Sequence, residues 1–74
     1  MEEKTIKVNY KPLWKMLIDK NKTKGDLRRE TKIAASTFTK MANNENVSLD
    51  VLVRICIALN CGLDDIVEIE NLKY

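Results

Sequence analysis

Two short segments with helical spacing lie close together within residues 23–43, so only a tight turn can join them. Thr23 is a good N-cap for the first segment, and Asp26 stands three residues later, where the partner in a capping box is expected. Leu27 is the strong apolar residue of this segment. The pattern predicts two short helices joined by a turn over residues 23–43.

The second of these helices is expected to present a polar surface. Phe38 and Met41 stand three residues apart, so they share a face that we expect to point inward. The residues left outside or along the flanks are small, hydroxylated, amide or basic: Ala35, Ser36, Thr37, Thr39, Lys40, Asn43 and Asn44. Such side chains on a protruding helix can engage base edges and phosphates. An ordinary polar helical hairpin is the alternative interpretation.

The length and composition favour one helical domain. With 74 residues, the chain is expected to form a single domain over residues 1–74, near the lower size at which a core alone supports folding. Hydrophobic residues make up 45% of the chain, and glycine and proline are sparse, which argues against disorder or a β-sandwich. No apolar run is long enough for a membrane span, and two cysteines without a secretory signal suit the cytoplasm.

The net charge of +2 conceals an uneven distribution. Residues 11–40 carry nine basic and three acidic side chains, a balance of +6, whereas residues 41–74 carry two basic and six acidic ones, a balance of −4. One positive half suits a domain that turns one face to a polyanion. The alternative is a solvated surface whose charges are unevenly distributed by chance.

Further helices are indicated by their boundary residues. Pro12 suits the first turn of a helix, where the missing N–H costs nothing. Ser48 is a good N-cap for a helix over residues 49–60, and Gly62 is expected to stop that helix. Residues 63–66 are expected to add one more helical turn.

Alternating apolar and polar residues indicate short strands at 5–10 and 67–70. The acids Glu68 and Glu70 have the right sign to face Lys7 across a ladder. Since an isolated two-stranded ribbon is marginal, the strands either pack on the helices or pair between two copies. The sequence does not choose between these arrangements.

Two apolar residues have two interpretations each. Trp14 is expected in the core or at its edge, with a partner site as the alternative. Ile57 falls in the same helical sector as Asp50 and Arg54, so it is either an isolated exposed residue or, with Val53, the start of a subunit contact.

Catalytic residues, cofactors and metal ligands are not predicted. The chain has no histidine, which removes the commonest general base and the commonest metal ligand. Cys56 and Cys61 would lie roughly 140° apart on a continuous helix, badly placed to share a metal. We expect Cys56 to act as a small buried hydrophobe and Cys61, at the helix end, to be open only to oxidation.

The stretch TKGDLRRETKIAASTFTKMANNENVSLDVLVRICIALNCGLDDIVEI resembles the helix-turn-helix core of the Cro/lambda-repressor-like transcriptional regulators. The resemblance covers about residues 10–69 and rests on a combined spacing, namely that of Thr23, Leu27, Ile33, Phe38, Leu49, Leu52, Ile55, Cys56, Ala58, Leu59 and Ile66. It implies an all-α, five-helix lambda-repressor-like domain, to which the short terminal strands can add a two-stranded ribbon.

The resemblance also implies a DNA-binding regulator whose third helix enters the major groove. By position, Lys24 matches a phosphate contact at the head of the second helix, and Arg28, Arg29 and Lys40 are expected to anchor phosphates as well. The groove-facing positions are matched by Ala35, Ser36, Thr37, Thr39 and Lys40. The following loop, which approaches the phosphates in relatives, is matched by Asn43 and Asn44.

Several residues depart from the family pattern. Lys32 stands where the turn usually has a glycine, so the turn is expected to be strained or differently built. Thr31 replaces an apolar residue, Arg28 replaces an alanine, and Ala34 replaces the usual Ser or Thr cap. The groove-facing set lacks Arg and Gln, the best bidentate readers, so we expect modest specificity.

Two hypotheses follow. The first is a sequence-specific regulator that binds double-stranded DNA as a homodimer, without a small-molecule ligand or a membrane. The second is an antitoxin-like adaptor that binds a protein partner through Ile57, Val53, Trp14 and the strand edges.

Overall fold

The computed structural model describes residues 7–70. Along the chain the elements are β1 (Lys7–Asn9), α1 (Lys11–Asp19), α2 (Lys24–Thr31), α3 (Ala35–Ala42), α4 (Leu49–Leu59) and β2 (Glu68–Glu70). A short 3-10 turn, Leu63–Asp65, connects α4 to β2. Within the described residues, no helix is both long and apolar enough to cross a membrane.

The expectation of five helices is wrong, because the described part of the chain contains four α-helices. The segment predicted as a further helical turn is the 3-10 turn. The Leu63 carbonyl oxygen at its start accepts hydrogen bonds from the Ile66 N–H at 3.1 Å and from the Val67 N–H at 3.0 Å. Ile66 is fully buried, whereas Leu63 is exposed, so one apolar residue anchors this turn. Strand β2 begins at Glu68, so the chain enters the ribbon soon after this single 3-10 turn.

The two strands pair with each other in an antiparallel ribbon inside one chain. Lys7 lies opposite Glu70, Val8 opposite Ile69 and Asn9 opposite Glu68, so the expected facing of Lys7 by an acid is confirmed. Thr5 and Ile6, the first residues of the predicted strand, lie outside the described residues.

Asn9 joins the ribbon to α1. It is buried, its amide group donates to the Glu70 carboxylate, and its side-chain oxygen accepts from the Lys11 backbone N–H at 3.0 Å. Both ends of the described chain are therefore tied to the start of the first helix.

The core draws residues from every helix. Its buried apolar side chains are Tyr10, Leu13, Leu17, Leu27, Ile33, Phe38, Met41, Ile55, Leu59 and Ile66. Trp14 is half-buried and packs against this cluster, which confirms its expected place at the core edge. Burial of these side chains is the main favourable term in holding the short helices together.

Two of the helices, α2 and α4, are followed directly by a non-glycine residue in the left-handed conformation. Lys32 follows α2 with φ 59° and ψ 31°, so a lysine occupies the left-handed region that favours glycine. Asn60 follows α4 with φ 56°, whereas Gly62 has φ −98°. The prediction that Gly62 stops this helix is therefore wrong, because the reversal occurs at Asn60, a residue type that tolerates this region better than most.

We predict that Lys32→Gly stabilises the protein by about 1 kcal/mol, because a Cβ in the left-handed region is strained and glycine removes the strain. Lys32→Ala removes the same exposed charge but keeps the Cβ, so it serves as the matched control and is expected to give no gain. Urea unfolding measures both. Equal stability of the two variants would show that Lys32 is not strained.

Candidate nucleic-acid interface

The start of α2 is fixed by a capping box, as predicted. The Asp26 N–H donates to the Thr23 hydroxyl oxygen and the Thr23 N–H donates to the Asp26 carboxylate, each at 3.0 Å. These bonds lower the pKa of Asp26 below its usual value, and Arg29 also pairs with its carboxylate. The capping box holds the first turn of α2, where Lys24 lies, in one orientation.

Helix α3 buries one narrow face and exposes the rest. Phe38 and Met41 point into the core, and Ile33 in the preceding turn is also buried. Among the predicted groove-facing residues, Thr37 is half-buried and the others are exposed: Ala35, Ser36, Thr39 and Lys40. Ala35, Ser36, Thr39 and Lys40 thus share one accessible helix surface, and Thr37 lies at its edge.

The first turn of α3 lacks a side-chain cap, because Ala34 stands at the N-cap. This agrees with the departure noted in the sequence. Within the helix, the Thr39 hydroxyl donates to the Ala35 carbonyl oxygen at 3.2 Å. The proton of that hydroxyl is engaged in the helix, so its oxygen is oriented to accept a hydrogen bond from outside.

The loop after α3 is held by a buried tyrosine. The Tyr10 hydroxyl donates to the Glu45 carbonyl oxygen at 2.7 Å, and burial raises the pKa of Tyr10 above its ordinary value. Asn43 and Asn44 are exposed beside this anchor, and Asn44 has φ 59°. Residue spacing does not reveal this role of Tyr10, because Tyr10 and Glu45 lie 35 positions apart in the sequence.

Lys24 lies over the ring of Trp14, with its ammonium nitrogen 4.1 Å from the ring centroid. This cation–π contact joins the start of α2 to α1 and restricts where the charge can be. This contact cannot be read from the sequence, because the two residues lie on different helices and their relative placement depends on the packing.

Some of the basic side chains form ion pairs with acidic neighbours, and others do not. Among the described residues, the ion pairs use Lys22 with Glu30, Arg29 with Asp26, and Arg54 with Asp50. Arg29 is thus engaged within α2, although it was expected to anchor a phosphate. The other three predicted anchors, Lys24, Arg28 and Lys40, are exposed and take part in none of these pairs.

Comparison with known proteins identifies the class. A model of the Cro/C1-type HTH DNA-binding domain matches residues 12–71. The chain therefore belongs to this helix-turn-helix family, which confirms the resemblance stated from the sequence.

A solved structure resembles the whole fold. The crystal structure of the transcriptional regulator VanUg (Form II) has a TM-score of 0.89 to this chain at 44% sequence identity, with 97% of this chain and 96% of that chain covered. No curated protein matches the chain.

Proposed function

We propose that this chain is a sequence-specific DNA-binding transcriptional regulator that acts as a dimer and inserts α3 into the major groove. The observation that carries the proposal is the surface of α3, whose inward face is limited to Phe38 and Met41. Its other side chains are small, hydroxylated or basic and reach solvent, as base edges and phosphates require.

Phosphates are the proposed partners of Lys24, Arg28 and Lys40. Each is exposed, and none takes part in the ion pairs of the described residues. Trp14 limits the freedom of Lys24, so less side-chain entropy is lost when this lysine meets a phosphate. Asn43 and Asn44, in the loop held by Tyr10, are proposed to approach the same backbone.

Base reading is proposed to fall on Ser36, Thr37 and Thr39, whereas Lys40, at the end of the helix, is proposed to contact a phosphate. The Ser36 and Thr37 hydroxyls can donate or accept, the Thr39 hydroxyl can accept, and the methyl groups of Ala35 and the threonines suit contact with a thymine methyl. Since bidentate Arg and Gln are missing from this surface, water-mediated contacts are expected to contribute to a modest specificity.

Dimer formation is proposed to use an apolar strip along α4 and the residues after it. The strip is formed by exposed side chains, which are Leu49, Val53, Ile57, Leu63 and Ile69. Val53, Ile57 and Leu63 line one cleft, and Leu63 and Ile69 line the next, so these four side chains are continuous, and Leu49 stands one helical turn before Val53. Because β1 and β2 already pair within the chain, this strip is a better candidate than strand exchange.

Protein binding is the second candidate function, and the same strip favours it. Ile57 is 75% exposed on an otherwise well-packed small domain. An adaptor would use this strip for another protein and would leave the α3 surface without a nucleic-acid ligand. The two functions therefore predict different results. DNA binding should weaken with added salt and with substitutions on α3, whereas binding of a protein through the α4 strip should depend on neither.

The first test is the salt dependence of duplex binding. If Lys24, Arg28 and Lys40 each neutralise one phosphate, a dimer makes six contacts, and the log–log slope of affinity against salt is about −5. Lys40→Ala removes two of these contacts and is expected to reduce the slope to about −3.6, with weaker binding to specific and random duplexes alike. Fluorescence anisotropy over a salt series measures both quantities.

Arg54→Ala is the matched control for this experiment, because it also removes one positive charge per chain. Arg54 pairs with Asp50 on α4, with 3.1 Å between Nε and Oδ2, so its loss should leave the slope unchanged. A flat salt response of the folded wild-type protein, or equal effects of the two variants, would contradict the proposed DNA contacts.

The second test concerns the dimer. We expect Ile57→Asp to turn the dimer into a monomer and to weaken DNA binding, because a carboxylate would be buried in the apolar contact. Analytical ultracentrifugation measures the first effect. The free energy of unfolding of the monomer should change by less than about 0.5 kcal/mol, since the side chain is exposed in the monomer.

Ile18→Asp provides the control, because Ile18 on α1 is also 75% exposed. This variant should remain dimeric. A dimer that survives Ile57→Asp as well as it survives Ile18→Asp would exclude the α4 strip as the interface.

A further inference from the structure

The two cysteines are brought together where α4 ends. The Cys61 N–H donates to the Cys56 carbonyl oxygen at 3.0 Å, and the Asn60 N–H donates to the Ile57 carbonyl oxygen at 3.3 Å. With Asn60 in the left-handed conformation, these bonds form a Schellman motif. In that motif a contact between the side chains at these two positions, here Cys56 and Cys61, is frequent, since the chain folds back over the last helical turn.

This arrangement corrects the sequence-based expectation that the two thiols lie far apart. That expectation assumed a helix that continues through Cys61, whereas α4 ends at Leu59. The hydrogen bond between the two residues limits the separation of their Cα atoms to about 7 Å, and disulfides are found at roughly 4.4–6.8 Å. Cys56 is half-buried rather than fully buried, so its expected role as a core residue holds only in part.

Both thiols are accessible from one side. Cys56 and Cys61 are free and half-buried, and they line the same open cleft, next to Ile57 and Leu63. In the monomer a small reagent in solution can therefore reach the thiols without unfolding of the helix, whereas the proposed dimer would cover this cleft and slow the reaction.

The electrostatic surroundings show that the thiols influence each other. Burial is the main cause that raises the pKa of Cys61 to about 11, followed by the neighbouring Cys56 and then by Asp65. Lys20 acts in the opposite direction. A high pKa keeps Cys61 in the thiol form near neutral pH, so the reaction below is expected to accelerate as the pH rises.

We propose that Cys56 and Cys61 form a dithiol site that a hydroperoxide converts to an intramolecular disulfide. One thiolate attacks a peroxide oxygen, which gives a sulfenic acid and releases hydroxide or alkoxide. The second thiol attacks the sulfenic sulfur, the S–S bond forms, and water leaves. With hydrogen peroxide the balance is two thiols and one peroxide to one disulfide and two waters.

The experiment treats the folded full chain with hydrogen peroxide and measures intact mass after alkylation. The expected product is monomeric on a non-reducing gel, is lighter by two hydrogen atoms, takes up no alkylating reagent and keeps its helical circular dichroism signal. Dithiothreitol should restore two alkylatable thiols. The yield of this product should be larger at higher pH.

Cys56→Ser and Cys61→Ser are the matched variants, since serine preserves the size of the side chain. Each should lose the intramolecular product completely and give oxygen addition or a disulfide-linked dimer instead. Wild-type protein that gains oxygen on both cysteines, forms only intermolecular disulfides, or closes the bond only after losing its helical signal would overturn the proposal.

Discussion

The burial of Phe38 and Met41 is the contact on which the proposed interface depends. Helix α3 has 8 residues, and an isolated helix of that length is marginal in water. Its N-cap offers no side-chain bond, so local capping does not compensate. The helix persists because its inward face joins a core drawn from the other helices, and this leaves its outer face free for polar side chains.

The remaining elements orient that outer face. The Thr23–Asp26 capping box fixes the start of α2, and Tyr10 holds the loop after α3 through its bond to the Glu45 carbonyl. Trp14 then limits the position of the Lys24 charge. These contacts come from residues outside α3, so the spacing of charges around the helix is a property of the whole fold rather than of the helix sequence.

The sequence was sufficient wherever local chemistry decides the structure. Thr23 and Ser48 cap helices as expected, Pro12 lies at a helix start, and the spacing of Phe38 and Met41 correctly predicted the inward face of α3.

The sequence was not sufficient where a backbone reversal decides the structure. The end of α4 at Asn60 could not be read from residue type, because Gly62 was the stronger signal, and that error also misplaced the cysteines. The contact between Lys24 and Trp14 depends on tertiary packing, which spacing does not encode. The roles of the proposed DNA-contacting residues remain predictions.

The central claim is that the exposed surface of α3 is the part of this domain that meets DNA. Amide chemical-shift mapping during titration with duplex DNA tests it most directly, because it reports on every described helix at once. The account predicts that the largest shifts fall within residues 35–44 and around Lys24, that the Trp14 indole signal moves with them, and that α4 changes little. Shifts confined to α4 and the ribbon, with α3 unaffected, would contradict it.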